Sequence, residues 1–274
     1  MQIRDIVRHV VVAVSAVIAV VGSFIGSGAA GGTPIAEAAG GALGADATLI
    51  APAGPAFSIW SVIYVGLVAY AVWQLLPAQR TDARQRTLGY PIAATLILNA
   101  AWILSIQAGL LPLSAIIIVL LLLSLVYAFA LALNTRATGA RRQGIVETLL
   151  VDATIGLYLG WVSIATAANL TSFLQTAGFR GFGWSATLWG VLVVGVAGLI
   201  GVLVAFWSKG RFAPAASLAW GLVWVAVSRI TGSLDSGPVA ATAVIAATAV
   251  VLVTLVVRAT GAAHTEALRS QPKQ

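Results

Sequence analysis

Apolar residues run almost unbroken through eight stretches of the chain, with short polar connections between them. The stretches lie roughly at 9 to 26, 56 to 76, 89 to 108, 112 to 133, 147 to 169, 185 to 207, 214 to 230 and 238 to 257. Each is close to the ~20 residues that an α-helix needs to cross the hydrocarbon of a bilayer. The pattern predicts an all-α fold, a polytopic membrane helix bundle of about eight transmembrane helices.

The connections sort by charge. Arg4 and Arg8, then Arg80, Arg84 and Arg86, then Arg136, Arg141 and Arg142, then Lys209 and Arg211, then Arg258, Arg269 and Lys273 fall on one side. The alternate connections carry Glu37 and Asp46, no charge near Leu110, a lone Arg180, and Asp235 with Arg229 at a helix end. The positive-inside rule therefore predicts a multi-pass protein of the cell membrane with both termini in the cytoplasm. An even number of spans agrees with that placement. A second reading of the first stretch is a secretory signal, since Arg4 and Arg8 precede it and S-G-A-A-G-G follows. Its removal would leave seven spans and the same topology for the rest.

Composition leaves little room for anything but membrane. Of the 274 residues, 60% are hydrophobic and 8% charged, with a mean hydropathy of +1.00, against roughly 25% charge in soluble domains. The net charge of +7 is spread over loop ends where topology accounts for it, so nucleic acid is not an expected partner. No cysteine is present, which removes disulfides and thiolate chemistry. His9 and His264 stand at opposite ends of the chain, and no metal site is expected. Glu147 and Asp152 are five residues apart, a spacing that points them away from each other on an α-helix. Asp152 lies about 8 Å deeper than Glu147 and reads as an interfacial acid, hydrated or paired with a loop arginine. G-S-G-A-A-G at 26–31 has dinucleotide-motif spacing without the strand-turn-helix setting, and reads as a flexible exit from the first span.

The longest connection, Ser27 to Ala56, is rich in Gly, Ala and Pro. Its length suggests a role beyond linking, such as a lid, with a short surface helix over Ala36 to Ala45. A second connection, Thr171 to Trp184, carries Phe173, Phe179, Phe182 and Trp184, suited to an interfacial aromatic belt. It divides a five-helix unit, residues 1–175, from a three-helix extension, residues 176–274. The pairs Gly22 with Gly26 and Gly156 with Gly160 favour close helix packing and are compatible with a homodimer.

Three spaced segments carry the candidate chemistry. Phe57, Trp60 and Tyr64 form one helical stripe just past a proline-bounded loop; Asn99 and Trp102 share a face of the third span; Tyr158, Trp161, Ala165 and Asn169 share a face of the fifth. The topology puts Trp60 near the outer surface, Asn99 near mid-membrane, and Trp102, Trp161 and Asn169 in the outer half. The three aromatic faces can then converge below the long connection. An amide in hydrocarbon must face protein, ligand or water. The cluster is either helix packing with belt aromatics, or an apolar small-molecule pocket with a few polar groups.

Pro55-Ala-Phe57-x-x-Trp60-x-x-x-Tyr64, Asn99-x-x-Trp102 and Tyr158-Leu-Gly-Trp161-Val-x-x-Ala165-x-x-x-Asn169 resemble, in order, the hallmark segments of the translocator protein family, TspO or tryptophan-rich sensory proteins. The resemblance covers roughly residues 5 to 175. It implies a five-helix bundle, often dimeric, with a pocket in one leaflet under the first long loop. Family members bind porphyrins, and some bind other large apolar ligands; no cofactor is required. Carried over residue by residue, Trp60, Asn99, Trp102, Trp161 and Ala165 would line the pocket, with Phe57, Tyr64 and Tyr158 beside them. Leu157 departs from the proline usual before the tyrosine of the fifth-helix segment, and short members lack the last three spans. The reading implied is a membrane binding or sensory protein for porphyrins or similar ligands, not an enzyme. A transporter of such ligands and a light-dependent porphyrin-degrading enzyme are the alternatives.

Overall fold

A computed structural model describes residues 2–28, 31, 33–138 and 144–269. Among the described residues, eight helices are long and apolar enough to span a membrane. They are α1 (Ile3–Gly26), α2 (Gly54–Trp73, opening in a 3₁₀ turn), α3 (Ala83–Gln107), α4 (Leu111–Thr138), α5 (Ile145–Thr176), α6 (Ala186–Trp207), α7 (Phe212–Thr231) and α8 (Gly237–Arg269). No strand occurs among the described residues. Helix starts are marked where the sequence supplies a cap: the Asp82 carboxylate accepts from the N–H groups of Arg84 and Gln85 at 2.9 and 3.1 Å. Ser185 does the same for Leu188 at the head of α6.

The first five helices close a ring. α1 packs along α3, α3 along α4, and α4 along α5, while α2 completes the circle through thinner seams with α1 and α5. α7 lies along α5 and touches the start of α2, and α8 packs on both α6 and α7. Small residues make these approaches possible, because packing rather than hydrophobic exclusion drives helix association in lipid. Gly22 and Gly26 face Ala100 and Ile103 of α3; Gly156 and Gly160 face Ala213 and Pro214 of α7. A Cβ on Gly160 would sit 2.1 Å from the Pro214 carbonyl oxygen. Both glycine pairs are thus used within the chain.

The end of the bundle that gathers the arginines is stitched by ion pairs, those of Arg84 buried and that of Arg86 at the surface. Arg84 donates from Nη1 to Glu147 Oε1 at 2.9 Å and from Nη2 to Asp152 Oδ1 at 2.7 Å. Arg136 donates to Asp152 Oδ2 at 2.8 Å. Arg86 grips Asp5 of α1 through two bonds of 2.8 and 2.9 Å. Glu147 and Asp152 therefore converge, contrary to the expectation that they point apart. The reason is local: α5 runs as a π-helix over Thr148–Ala153, and a turn closed by i→i+5 bonds brings residues five apart onto one face. Asp152 is paired, as an interfacial acid beside loop arginines would be.

Two further details differ from the expectations. Ala36 to Ala45 is not a continuous helix but a single turn at Ala38–Gly41, with Ala39 and Gly40 left-handed. Two small residues of low helix propensity, Gly40 and Gly41, end it there. α1 also starts nearer the N-terminus than hydropathy suggests, with a capping box between Gln2 and Asp5. The belt aromatics Phe179, Phe182 and Trp184 gather with Trp189 in one cluster, at ring separations of 5.1 to 6.4 Å. Arg141, Arg142, Lys273, Ala29 and Ala30, and the side chain of His264, lie outside the described residues.

Removing one member of the buried network strands its partners, which typically costs about 3–5 kcal/mol. Arg84→Met should lower the thermal unfolding midpoint of the purified protein. Adding Glu147→Gln and Asp152→Asn should recover part of the loss. A midpoint unchanged in Arg84→Met would show that the network contributes no stability.

Candidate functional site

Pro55 sits in the 3₁₀ turn that opens α2 and sets Phe57, Trp60 and Tyr64 on the inner side of that helix. Trp60 is the hub. Its ring lies 5.6 Å from Tyr64, 5.7 Å from Tyr158 and 6.2 Å from Trp161, the last two edge-on. Phe57 meets Trp161 edge-on at 5.7 Å. Edge-to-face pairs of this kind contribute about 0.5 to 1.5 kcal/mol each beyond burial. α2 and α5 therefore meet through rings toward the start of α2, and through the close approach of Gly66 to Thr154 further along.

Beneath the long connection these rings wall a chamber. Phe57, Trp60, Trp102, Trp161 and Ala165 line it, Ile118 and Leu121 of α4 form its far side, and Ala42, Leu43, Thr48, Ala51 and Pro52 roof it. Counted where the centre of a water molecule fits, its volume is about 30 Å³, room for about two waters. Phe57, Trp60 and Trp102 also wall a second space, an open groove of about 910 Å³ between α1 and α2 with Ile103 of α3 behind it. The three rings are a partition between a small chamber and a large open groove.

The remaining predicted residues, Tyr64 apart, stand behind the walls. Asn99 is fully buried and donates to the Tyr64 hydroxyl, and it borders neither space. Tyr158 is likewise fully buried, its hydroxyl donating to the Thr95 carbonyl at 3.3 Å. Tyr64 lines the groove. Asn169 turns to α4 and donates to Ser114 Oγ at 3.2 Å. Among the described residues, three buried polar atoms on chamber residues have no partner: Trp102 Nε1, Trp161 Nε1 and Thr48 Oγ1. Each forfeits a hydrogen bond worth about 1 kcal/mol net, and more once desolvated.

Sequence reasoning missed the roof and what holds it. The Trp220 indole donates to the Ala56 carbonyl at 2.9 Å, and the Ala53 N–H donates to the Trp224 carbonyl at 3.1 Å. Arg229 of α7 is fully buried; it donates to the Ala45 carbonyl at 2.7 Å and to the Leu234 carbonyl at 2.9 Å. Ser172 of α5 donates to the Ala42 carbonyl. One signal was available: an arginine at the apolar end of a span must find acceptors or leave the membrane, and the adjoining connections are the nearest source of them. Thr48 carried no such signal. Among the described residues, no group of three or more His, Asp or Glu side chains is placed to hold a metal ion.

Replacing Arg229 removes charge-assisted bonds of about 1.5 to 3 kcal/mol each. Arg229→Met should therefore raise amide hydrogen exchange over residues 42–53 by at least roughly tenfold, with little change in α3 and α4. Exchange unchanged in that segment would mean that α7 does not hold the roof.

No curated protein and no solved structure matches the chain. The profile of one family, described as TSPO-like protein, matches residues 12–257. That match reaches all eight helices, not only the ring of five. With the aromatic ring core and a match over most of its length, the chain belongs to the TSPO-like protein family and is a membrane protein of the TspO type.

Proposed function

We propose that the protein is a membrane binding protein for a porphyrin or a similar large, flat, apolar ligand that carries hydrogen-bond acceptors. The observation that carries this reading is the set of unpartnered donors on an aromatic wall: Trp102 Nε1, Trp161 Nε1 and Thr48 Oγ1 beside the rings of Phe57 and Trp60. A tetrapyrrole would answer both features, stacking on the rings and accepting from the donors through its carboxylates. The two indole N–H groups and the hydroxyl would supply the polar contacts, and Asn99 would act through Tyr64, holding its ring in place.

The chamber as it stands is too small for such a ligand. Binding would swing the partition of Phe57, Trp60 and Trp102 so that the chamber and the α1/α2 groove become one space. The thin α1/α2 seam favours entry from the side of the bundle. Among the described residues, neither space is lined by an Asp, Glu, Lys, Arg or His side chain, which favours binding over ion-coupled transport. On the positive-inside rule the roofed end would face outward and the arginine end the cytoplasm of the cell membrane.

Titration of the purified protein with protoporphyrin IX should quench tryptophan fluorescence. Thr48→Val keeps the side chain's shape and removes its hydroxyl, and should weaken binding roughly fivefold. Trp161→Ala combined with Asn99→Ala should abolish it. Undiminished binding in both variants would remove the site assignment.

A further inference from the structure

The opposite end of the molecule carries a second large opening, unrelated to the aromatic chamber. It is a cleft of about 840 Å³ between the end of α4, the π segment of α5, the turn from α6 to α7, and α8 near Arg258. Four cations line it: Arg136, Lys209, Arg211 and Arg258. Among the described residues Asp152 is the single acid on its wall, and both of its oxygens are already taken by Arg84 and Arg136.

The charges do not balance. Arg84 and Arg136 are matched by Glu147 and Asp152 within the buried network. Among the described residues, Lys209, Arg211 and Arg258 are left over. Arg211 is half-buried, and among the described residues its guanidinium makes no hydrogen bond or ion pair, although its own N–H donates to Ser208 Oγ at 3.2 Å. Burial and the nearby Arg136 and Arg258 charges lower its affinity for its proton, against the pull of Asp152. Like charges gathered in a half-buried cleft oppose folding unless something neutralises them.

The backbone holds these cations in place. Lys209 has a left-handed φ of +56°, an uncommon conformation for a residue with a side chain. Gly210 follows at +72°, and a Cβ on it would meet the Arg258 backbone at 2.6 Å. Only glycine allows the turn to press so closely on α8. That contact brings Arg258 beside the turn, with its guanidinium 4.8 Å above the Phe212 ring. Trp207, stacked edge-on with Phe129 at 5.4 Å, forms the apolar wall. Trp207 and Phe212 are both exposed at the outer surface of the bundle.

A compact anion held by three cations is phosphate chemistry, since guanidinium groups pair readily with phosphate oxygens. A free phosphate would use the cations and ignore the aromatic wall. An amphiphile would use both, and basic pockets between helices at a membrane edge are a recurrent form of headgroup site. We propose that this cleft binds the phosphate headgroup of an anionic phospholipid, with Lys209, Arg211 and Arg258 as counter-charges and Trp207 and Phe212 against the upper acyl chain.

The test is native mass spectrometry of the full chain in neutral detergent with equal amounts of phosphatidylglycerol and phosphatidylcholine, with and without inorganic phosphate. Wild-type protein should retain phosphatidylglycerol over phosphatidylcholine by about tenfold or more. Loss of one cation near a membrane surface weakens anionic lipid binding about fivefold. Arg258→Gln, at an exposed position, should therefore cost about fivefold, and Lys209→Gln with Arg211→Gln roughly twentyfold. Arg4→Gln, at the same end but outside the cleft, should retain the lipid as wild type does. Equal retention of the two lipids, or wild-type retention in both cleft variants, would overturn the proposal. So would an equal loss in Arg4→Gln, which would mark a diffuse charge effect. Displacement of phosphatidylglycerol by inorganic phosphate would assign the cleft to the free anion and overturn the lipid reading.

Discussion

A polar group buried in a lipid-embedded bundle must find its partner inside the chain, because no water stands by to replace it. Much of this structure follows from where that requirement is met. At the arginine end it is met by charge, with Arg84 shared between Glu147 and Asp152 and Arg136 closing the group. At the roofed end it is met by the backbone, as Arg229, Ser172 and Trp220 reach carbonyls of a connection that would otherwise have few partners. Several atoms of Arg8, Gln74 and Gln85 are unpaired within the protein. They lie within about two turns of helix ends, where interfacial water can serve them. Trp102, Trp161 and Thr48 are different: their side chains line an apolar chamber, and the proposed ligand would partner their unpaired atoms.

The same requirement connects the two layers of helices. α7 packs so closely on α5 that the Pro214 carbonyl occupies the place of a side chain on Gly160. From that position α7 delivers Arg229 and Trp220 to the connection above the chamber. The last three helices are thus coupled to the candidate site through its roof, without lining the chamber themselves. This is why a family match running to residue 257 makes structural sense: the ring and the outer helices share the loop between α1 and α2.

Much of this was legible in the sequence. Eight apolar runs and the alternation of basic connections specify helix number and relative direction, because lipid permits few other solutions. The stripes of Phe57, Trp60 and Tyr64 and of Tyr158 and Trp161 were legible because helical spacing alone puts them on one face, and their rings do meet. Helical spacing failed at Glu147 and Asp152, where one π segment shifts the register that the argument assumes. It also cannot say how far a residue stands behind its neighbours, so Asn99 and Tyr158 share a face with the wall and yet sit outside it. The roof was illegible for another reason. Thr48, Leu43 and Pro52 lie in a connection without periodicity, and their place depends on contacts with α7 made over a long sequence separation. Leu157 stands where the resemblance leads one to expect proline, yet α5 is irregular all the same, one turn earlier.

The central claim is that the tryptophan-walled chamber under the α1–α2 connection opens to take a flat ligand. The most direct test is an experimental structure of the full chain in lipid nanodiscs with protoporphyrin IX. The account predicts the macrocycle between Trp60, Trp102 and Trp161, with Trp60 and Phe57 rotated away from their present contacts with Trp161. A macrocycle bound elsewhere, with those rings still 5.7 and 6.2 Å from Trp161, would contradict it.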